Sequence, residues 1–234
     1  MKVDMNSVRG RNMQKRRTRI LAEARALLAR GGFEALNLRD LARQAEVTVP
    51  TIYNLIGKKE EVLIALAADV VDEVEMRIDP AHNADPLSVA SAVVVESVQL
   101  FREDETFYRS AVLAVEWLDH VRQQHQEVEQ LYAWVGSLLR PGIAACREAG
   151  LLRGRVPLES MTKLITRNYR MSCRAWALGY CSLDEFRDQT ISDLYIVLAA
   201  DAVDTFHAQL LRKIAEHHAN DAIEPADNNV AERN

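Results

Sequence analysis

Glycine and proline are scarce in this chain, at 9 and 6 of 234 residues, and the long segments between them carry no alternating apolar and polar pattern. Turn-rich strand architectures are therefore excluded, and an all-α protein is expected. Cysteine is rarer still. Cys146, Cys173 and Cys181 form no CxxC pair, which leaves neither a disulfide framework nor a zinc knuckle; they read as small buried hydrophobes in a reducing compartment. No uncharged apolar stretch approaches the roughly 18 residues a membrane span needs, and Met1 to Gln14 is polar where a secretory signal would be apolar. A cytoplasmic protein with no membrane association is expected. The six histidines supply no HExxH and no Glu-x-x-His pair, and neither a P-loop nor a G-x-S-x-G elbow occurs. Catalytic residues, metal ligands and cofactors are accordingly expected to be none.

What the chain does have is apolar residues, 48% of the total, enough for a sizeable core, and a marked asymmetry of charge. Residues 1–60 hold 13 Lys and Arg against 6 Asp and Glu, a net of +7, whereas the remainder carries a net of −12. Such a split suits a head that binds a polyanion on a body that avoids one. A solvated basic face would give the same count, and charge alone leaves the two readings even.

Helical periodicity divides the chain further. Lys15 to Arg30 reads as a first helix with Ile20, Leu21, Ala24, Leu27 and Leu28 on one face, stopped by Gly31-Gly32. Asn37 caps a short helix from Leu38 to Ala45, and Thr48 caps another from Val49 to about Leu55, with Pro50 tolerated in its first turn. Two short helices on a longer one make a helix-turn-helix. A connector follows from Lys59 to Arg77, then helices at Leu87–Arg102, Thr106–His120, Arg122–Ala149 with Pro141 as a kink or split, Leu158–Leu178 and Leu183–Glu216. The expected segments are a flexible basic arm (1–14), a helix-turn-helix head (15–58), a helical body (59–216) and a disordered tail (217–234).

The informative stretch is Leu38 to Leu63. Leu38, Leu41, Ala42, Ala45, Val47, Ile52 and Ile56 supply its buried side, which leaves Thr48, Val49, Pro50, Thr51, Tyr53 and Asn54 exposed on the third helix. Amides, hydroxyls and small apolar groups of this kind fit a major groove. Lys58 and Lys59 at the next helix start make a phosphate site. Gly32-Phe33, Arg39-Asp40-Leu41-Ala42, Thr51-Ile52-Tyr53 and Lys59-Glu60 resemble the head pattern of the TetR family of bacterial transcription regulators over about 50 residues. The resemblance implies that Asn37 or Arg39, Thr48, Tyr53 and Lys59 contact the DNA backbone, and that Arg39, Val49, Pro50, Thr51 and Asn54 lie nearest the bases. It also implies a homodimer formed by the last two helices, binding double-stranded operator DNA.

Three departures stand out. Glu46 occupies the turn position where the family usually has glycine, Leu55 and Ile56 replace an aromatic pair, and Lys58 replaces a serine cap. In the body, the resemblance implies an effector cavity, with Phe101, Trp117, Trp134 and Tyr169 as candidates for its wall. The expected effector is a small apolar or amphipathic molecule that releases a repressor from its operator. Rival readings are a constitutive DNA-binding regulator and an all-α enzyme. A stripe of Leu194, Val197, Leu198, Asp201 and Thr205 reads either as dimer interface or as core of the single chain.

Overall fold

The computed structural model describes residues 8–78, 85–121 and 125–221. Its regular structure is helical, apart from one isolated antiparallel bridge between Leu152 and Ala202. No helix among the described residues is long and apolar enough to cross a membrane.

Three helices make the head. The first, α1 (Val8–Gly31), buries Ile20, Leu21, Ala24, Leu27 and Leu28. It begins at Val8 rather than at Lys15, because the weakest helix former before Lys15, Gly10, is tolerated singly inside a helix; the second half of the expected arm is therefore helical, and residues 1–7 lie outside the described ones. It stops at Gly32, which takes a left-handed φ of 71° that glycine adopts without a Cβ penalty. After a 3-10 turn (Phe33–Ala35), α2 (Leu38–Gln44) starts at Asn37, whose side chain accepts from the Asp40 N–H at 2.9 Å. Then α3 (Val49–Leu55) starts at Thr48, which accepts from the Thr51 N–H at 3.3 Å. Both caps satisfy N–H groups that a helix start leaves open.

The connector α4 (Lys59–Arg77) runs out of the head as expected. The body adds α5 (Pro86–Glu103), α6 (Glu105–Val121), α7 (His125–Glu148), α8 (Leu158–Ala177), α9 (Leu183–Ala199) and α10 (Asp204–Asp221). Pro141 lies inside α7 and does not split it. Next to it, Gly142 lets α7 press against α5: a Cβ on Gly142 would sit 2.3 Å from the Ala90 Cα. Antiparallel helices α8 and α9 are joined through Gly179 (φ 81°) and the Ser182 cap, whose hydroxyl accepts from the Glu185 N–H while Glu185 accepts from the Ser182 N–H.

The expected single helix from Leu183 to Glu216 is instead two, broken at residues 200–203. Nothing local breaks it. The buried Asp201 turns its carboxylate toward the loop before α8 and accepts from the backbone N–H groups of Gly154 and Arg155, each at 2.8 Å, and of Val156 at 3.2 Å. Three charge-assisted bonds outweigh continued helix here. Leu194, Val197 and Leu198 are likewise buried within the chain, and Thr205 is exposed on α10, so the stripe that contains them is core and not an exposed interface. The tail expected from His217 falls partly on α10, which extends to Asp221, and residues 222–234 lie outside the described ones.

Candidate nucleic-acid interface and body cavity

The exposed side of α3 gathers most of the expected contact residues. Tyr53 is 51% exposed, which removes it from the core, and Pro50 and Asn54 are exposed beside it, with Val49 and Thr51 half-buried. Ile52, one turn face away, is fully buried and anchors the helix. Thr48 and Thr51 bring their hydroxyls to 2.9 Å. Asn37 donates from Nδ2 to Asp40 Oδ2 at 2.5 Å while its Oδ1 caps α2, so both cap residues arrive at the surface already held by local bonds. Arg39 and Lys58 are exposed on the same head. The Lys58 N–H donates to Glu61 Oε2 at 2.8 Å, the half of a capping box that survives without serine, since lysine has no acceptor.

Lys59 is drawn toward the body. Its ammonium lies 5.9 Å from the centroid of Trp117, and Trp117 in turn lies 5.7 Å from Phe33. Trp117 therefore belongs to the joint between head and body.

Glu46 is the one non-glycine residue among those described with a positive φ, 49°. Its carboxylate is turned toward α1, where Arg19 reaches it at 3.0 Å and also donates to the Glu46 carbonyl at 3.2 Å.

A cavity of about 60 Å³ in the body is lined by residues of α4, α5, α6, α7 and α8; Phe101, Tyr108, Leu131, Tyr132, Tyr169 and Cys173 are among its lining, and no lining residue is charged. Phe101 and Tyr169 fall where the sequence placed them. Trp117 and Trp134 do not line it: the first is held at the joint by Phe33, and the second is a half-buried residue of α7 packed on the core elsewhere. The tyrosine hydroxyls are partnered. Ser97 gives its hydroxyl proton to the Val93 carbonyl at 2.6 Å, so Tyr169 donates to Ser97 at 2.8 Å. Tyr132 donates to Glu116 at 3.5 Å, a carboxylate also bonded by Arg170 at 2.9 Å. Burial pushes the Cys173 thiol up to about 12 and the Cys146 thiol up to about 11, which keeps both protonated and unreactive. Sequence reasoning missed Tyr108, Arg25 and Glu73, which meet at the edge of this cavity; no spacing along the chain connects residues 25, 73 and 108.

Residues 20–66, which contain the cap, turn and α3 positions just described, match the family model for bacterial regulatory proteins of the tetR family. The head is thus similar to that of the TetR family. Among curated proteins the chain is similar to the HTH-type transcriptional repressor KstR of Rhodococcus jostii, 30% identical over 94 residues that span 40% of this chain and 44% of that protein. KstR of Mycolicibacterium smegmatis is 31% identical over 71 residues, 30% of this chain and 35% of that protein. The chain thus matches less than half the length of these relatives. Solved structures extend the likeness in fold to the body. FadR of Thermus thermophilus, in complex with lauroyl-CoA, aligns over 80% of this chain and 95% of its own with a TM-score of 0.62 at 21% identity. RolR with resorcinol aligns over 88% and 95%, TM-score 0.62, at 18% identity.

Proposed function

We propose that this chain is a cytoplasmic, homodimeric transcriptional regulator that binds operator DNA through residues 15–58 and is released from it by a small apolar or amphipathic molecule bound in the body, residues 59–216. The observation that carries the DNA-binding part is the outward face of α3, where Pro50, Tyr53 and Asn54 are exposed above a fully buried Ile52. Asn37, Arg39, Thr48, Tyr53, Lys58 and Lys59 are assigned to phosphates, and Val49, Pro50, Thr51 and Asn54, with Arg39, to base edges. The relatives named as repressors support repression as the sense of regulation.

The effector reading rests on the uncharged cavity wall. It suits an apolar molecule or the apolar part of an amphipathic one, the kind of ligand that the neighbours in complex with lauroyl-CoA and resorcinol hold. For the dimer, α8 and its C-cap residue present Leu164, Met171 and Leu178, seven residues apart and 41%, 57% and 44% exposed. That spacing keeps the three on one helix face, and a second copy is the economical way to cover it.

Duplexes selected from a random pool by the purified protein test the reading. A selected site with two half-sites about 34 to 36 Å apart, salt-dependent affinity and weakening by lauroyl-CoA or resorcinol is the expected outcome. Absence of any DNA binding sinks the regulator reading; binding that no apolar probe alters leaves a constitutive regulator. Met171→Arg should give a monomer in sedimentation, and an unchanged dimer places the interface elsewhere.

A further inference from the structure

Arg25 belongs to α1, Glu73 to α4 and Tyr108 to α6, and the three close a ring of hydrogen bonds. The Arg25 guanidinium donates from Nη1 to Glu73 Oε1 at 2.5 Å and from Nη2 to the Tyr108 hydroxyl at 2.7 Å, and that hydroxyl donates to Glu73 Oε2 at 2.7 Å. The guanidinium also stands 4.0 Å from the Phe107 ring centroid. Arg25 and Glu73 are only about one-third and one-quarter exposed, at 33% and 27%, so water competes weakly for these bonds. Burial, then the bond to Glu73, raises the phenol well above its ordinary range, so Tyr108 stays a donor at every physiological pH.

Tyr108 has a second face. Its ring is 1% exposed, lines the body cavity, and packs 5.2 Å from Phe101, which lines the cavity too. A group that enters this cavity meets the ring whose hydroxyl joins the first helix of the head to the connector. Resting on the ligand-responsive reading above, we infer that the Tyr108 hydroxyl is the positioning group through which cavity occupancy is transmitted to the head: displacement of the ring breaks its bonds to Arg25 and Glu73 and lets α1 and α4 shift relative to each other. The cavity and the ring of bonds share no other residue.

A substitution that fills the cavity serves as a fixed occupant, so no effector is needed. Ala111 lines the cavity one turn beyond Tyr108. DNA affinity is measured, on a duplex selected by the unmodified protein, for Ala111→Leu, Tyr108→Phe, the double variant and the unmodified chain, with thermal unfolding followed in parallel. Ala111→Leu is expected to weaken DNA binding about tenfold, within the 5- to 150-fold typical of coupled sites. Tyr108→Phe, which removes the same bonds, weakens it to a similar extent, and in the Tyr108→Phe background the further effect of Ala111→Leu shrinks to under about threefold. Equal weakening in both backgrounds overturns the proposal, as does a folded Ala111→Leu that binds DNA like the unmodified chain. If Ala111→Leu does not fold, Ala111→Val is put through the same cycle, and the same ratio decides. A purely structural role for the three residues would lower melting temperatures and leave that ratio untouched. Loss of lauroyl-CoA or resorcinol response with an intact ratio would count against the effector reading alone, and failure of the unmodified chain to bind DNA would sink both.

Discussion

Arg19 holds Glu46 by both its side chain and its carbonyl, at 3.0 and 3.2 Å, and so anchors the turn of the helix-turn-helix to α1. The left-handed φ of 49° at Glu46 costs about 1 kcal/mol, and an exposed ion pair returns up to about 1 kcal/mol. Glu46→Gly removes both, so the unfolding free energy should change by less than about 1 kcal/mol. DNA affinity should rise, because a carboxylate leaves the head and Arg19, now bonded only to the carbonyl of residue 46, loses its counter-charge. Denaturant titration and DNA titration check the two halves, and a loss of more than about 2 kcal/mol would show that the pair is a structural necessity.

On the DNA-binding reading Lys59 serves two surfaces. Lys59→Ala should weaken binding to all sequences alike and lower the log-log salt slope by about 1. Because its ammonium lies 5.9 Å from the Trp117 ring, the same variant should lose about 0.5 to 1 kcal/mol of stability and shift tryptophan emission, a shift that disappears in a Trp117→Phe background. An unaltered slope would leave Lys59 to the joint with Trp117 alone.

At the crossing of α5 and α7, Gly142 has no room for a methyl group, since a Cβ would come within 2.3 Å of the Ala90 Cα and 2.5 Å of its N. The clash is with backbone and no rotamer relieves it. Gly142→Ala should destabilise the body by about 1 to 3 kcal/mol or more, seen as a lower denaturant midpoint.

Asp69 on α4 carries a carboxyl raised above its ordinary 3.8, by burial first and then by Asp72 and Glu73, against the opposing pull of Arg17 and Arg25. A raised folded pKa means that ionisation opposes folding: the contribution is fully favourable below 3.8 and is lost as pH rises through the folded value. Asp69→Asn should therefore raise Tm at pH 7, and the gain should vanish as the pH falls below the ordinary carboxylate value. A gain that persists in acid would point to another cause.

Local rules carried the sequence reading far in the head. Asn37 and Thr48 are strong caps, Gly32 is a stop, and Ile52 and Tyr53 separate by periodicity into core and surface. Those signals span four residues or fewer. The break between α9 and α10 was hidden because its cause, three N–H groups of residues 154–156, lies over forty positions from Asp201. Trp117 and Trp134 were poor guides for the same reason: a large aromatic is needed wherever helices meet, and only the path of the chain decides whether that place is a joint, a core or a cavity wall. Phe101 and Tyr169 fell on the wall, and Tyr108, which joins the wall to Arg25 and Glu73, carried no mark in the sequence.

A body cavity of about 60 Å³ holds little more than a few water molecules. Any ligand with tens of heavy atoms must first find, or force, an expanded body, and its apparent affinity falls in proportion to how seldom that state exists: a population of about 1% weakens it about 100-fold. On the ligand-responsive reading the work of expansion is also what moves the head, so sensitivity and responsiveness trade against each other. The body is then, on that reading, a threshold device: a molecule that fits the resting cavity leaves the helices in place, and one bulky enough to hold them apart changes the output.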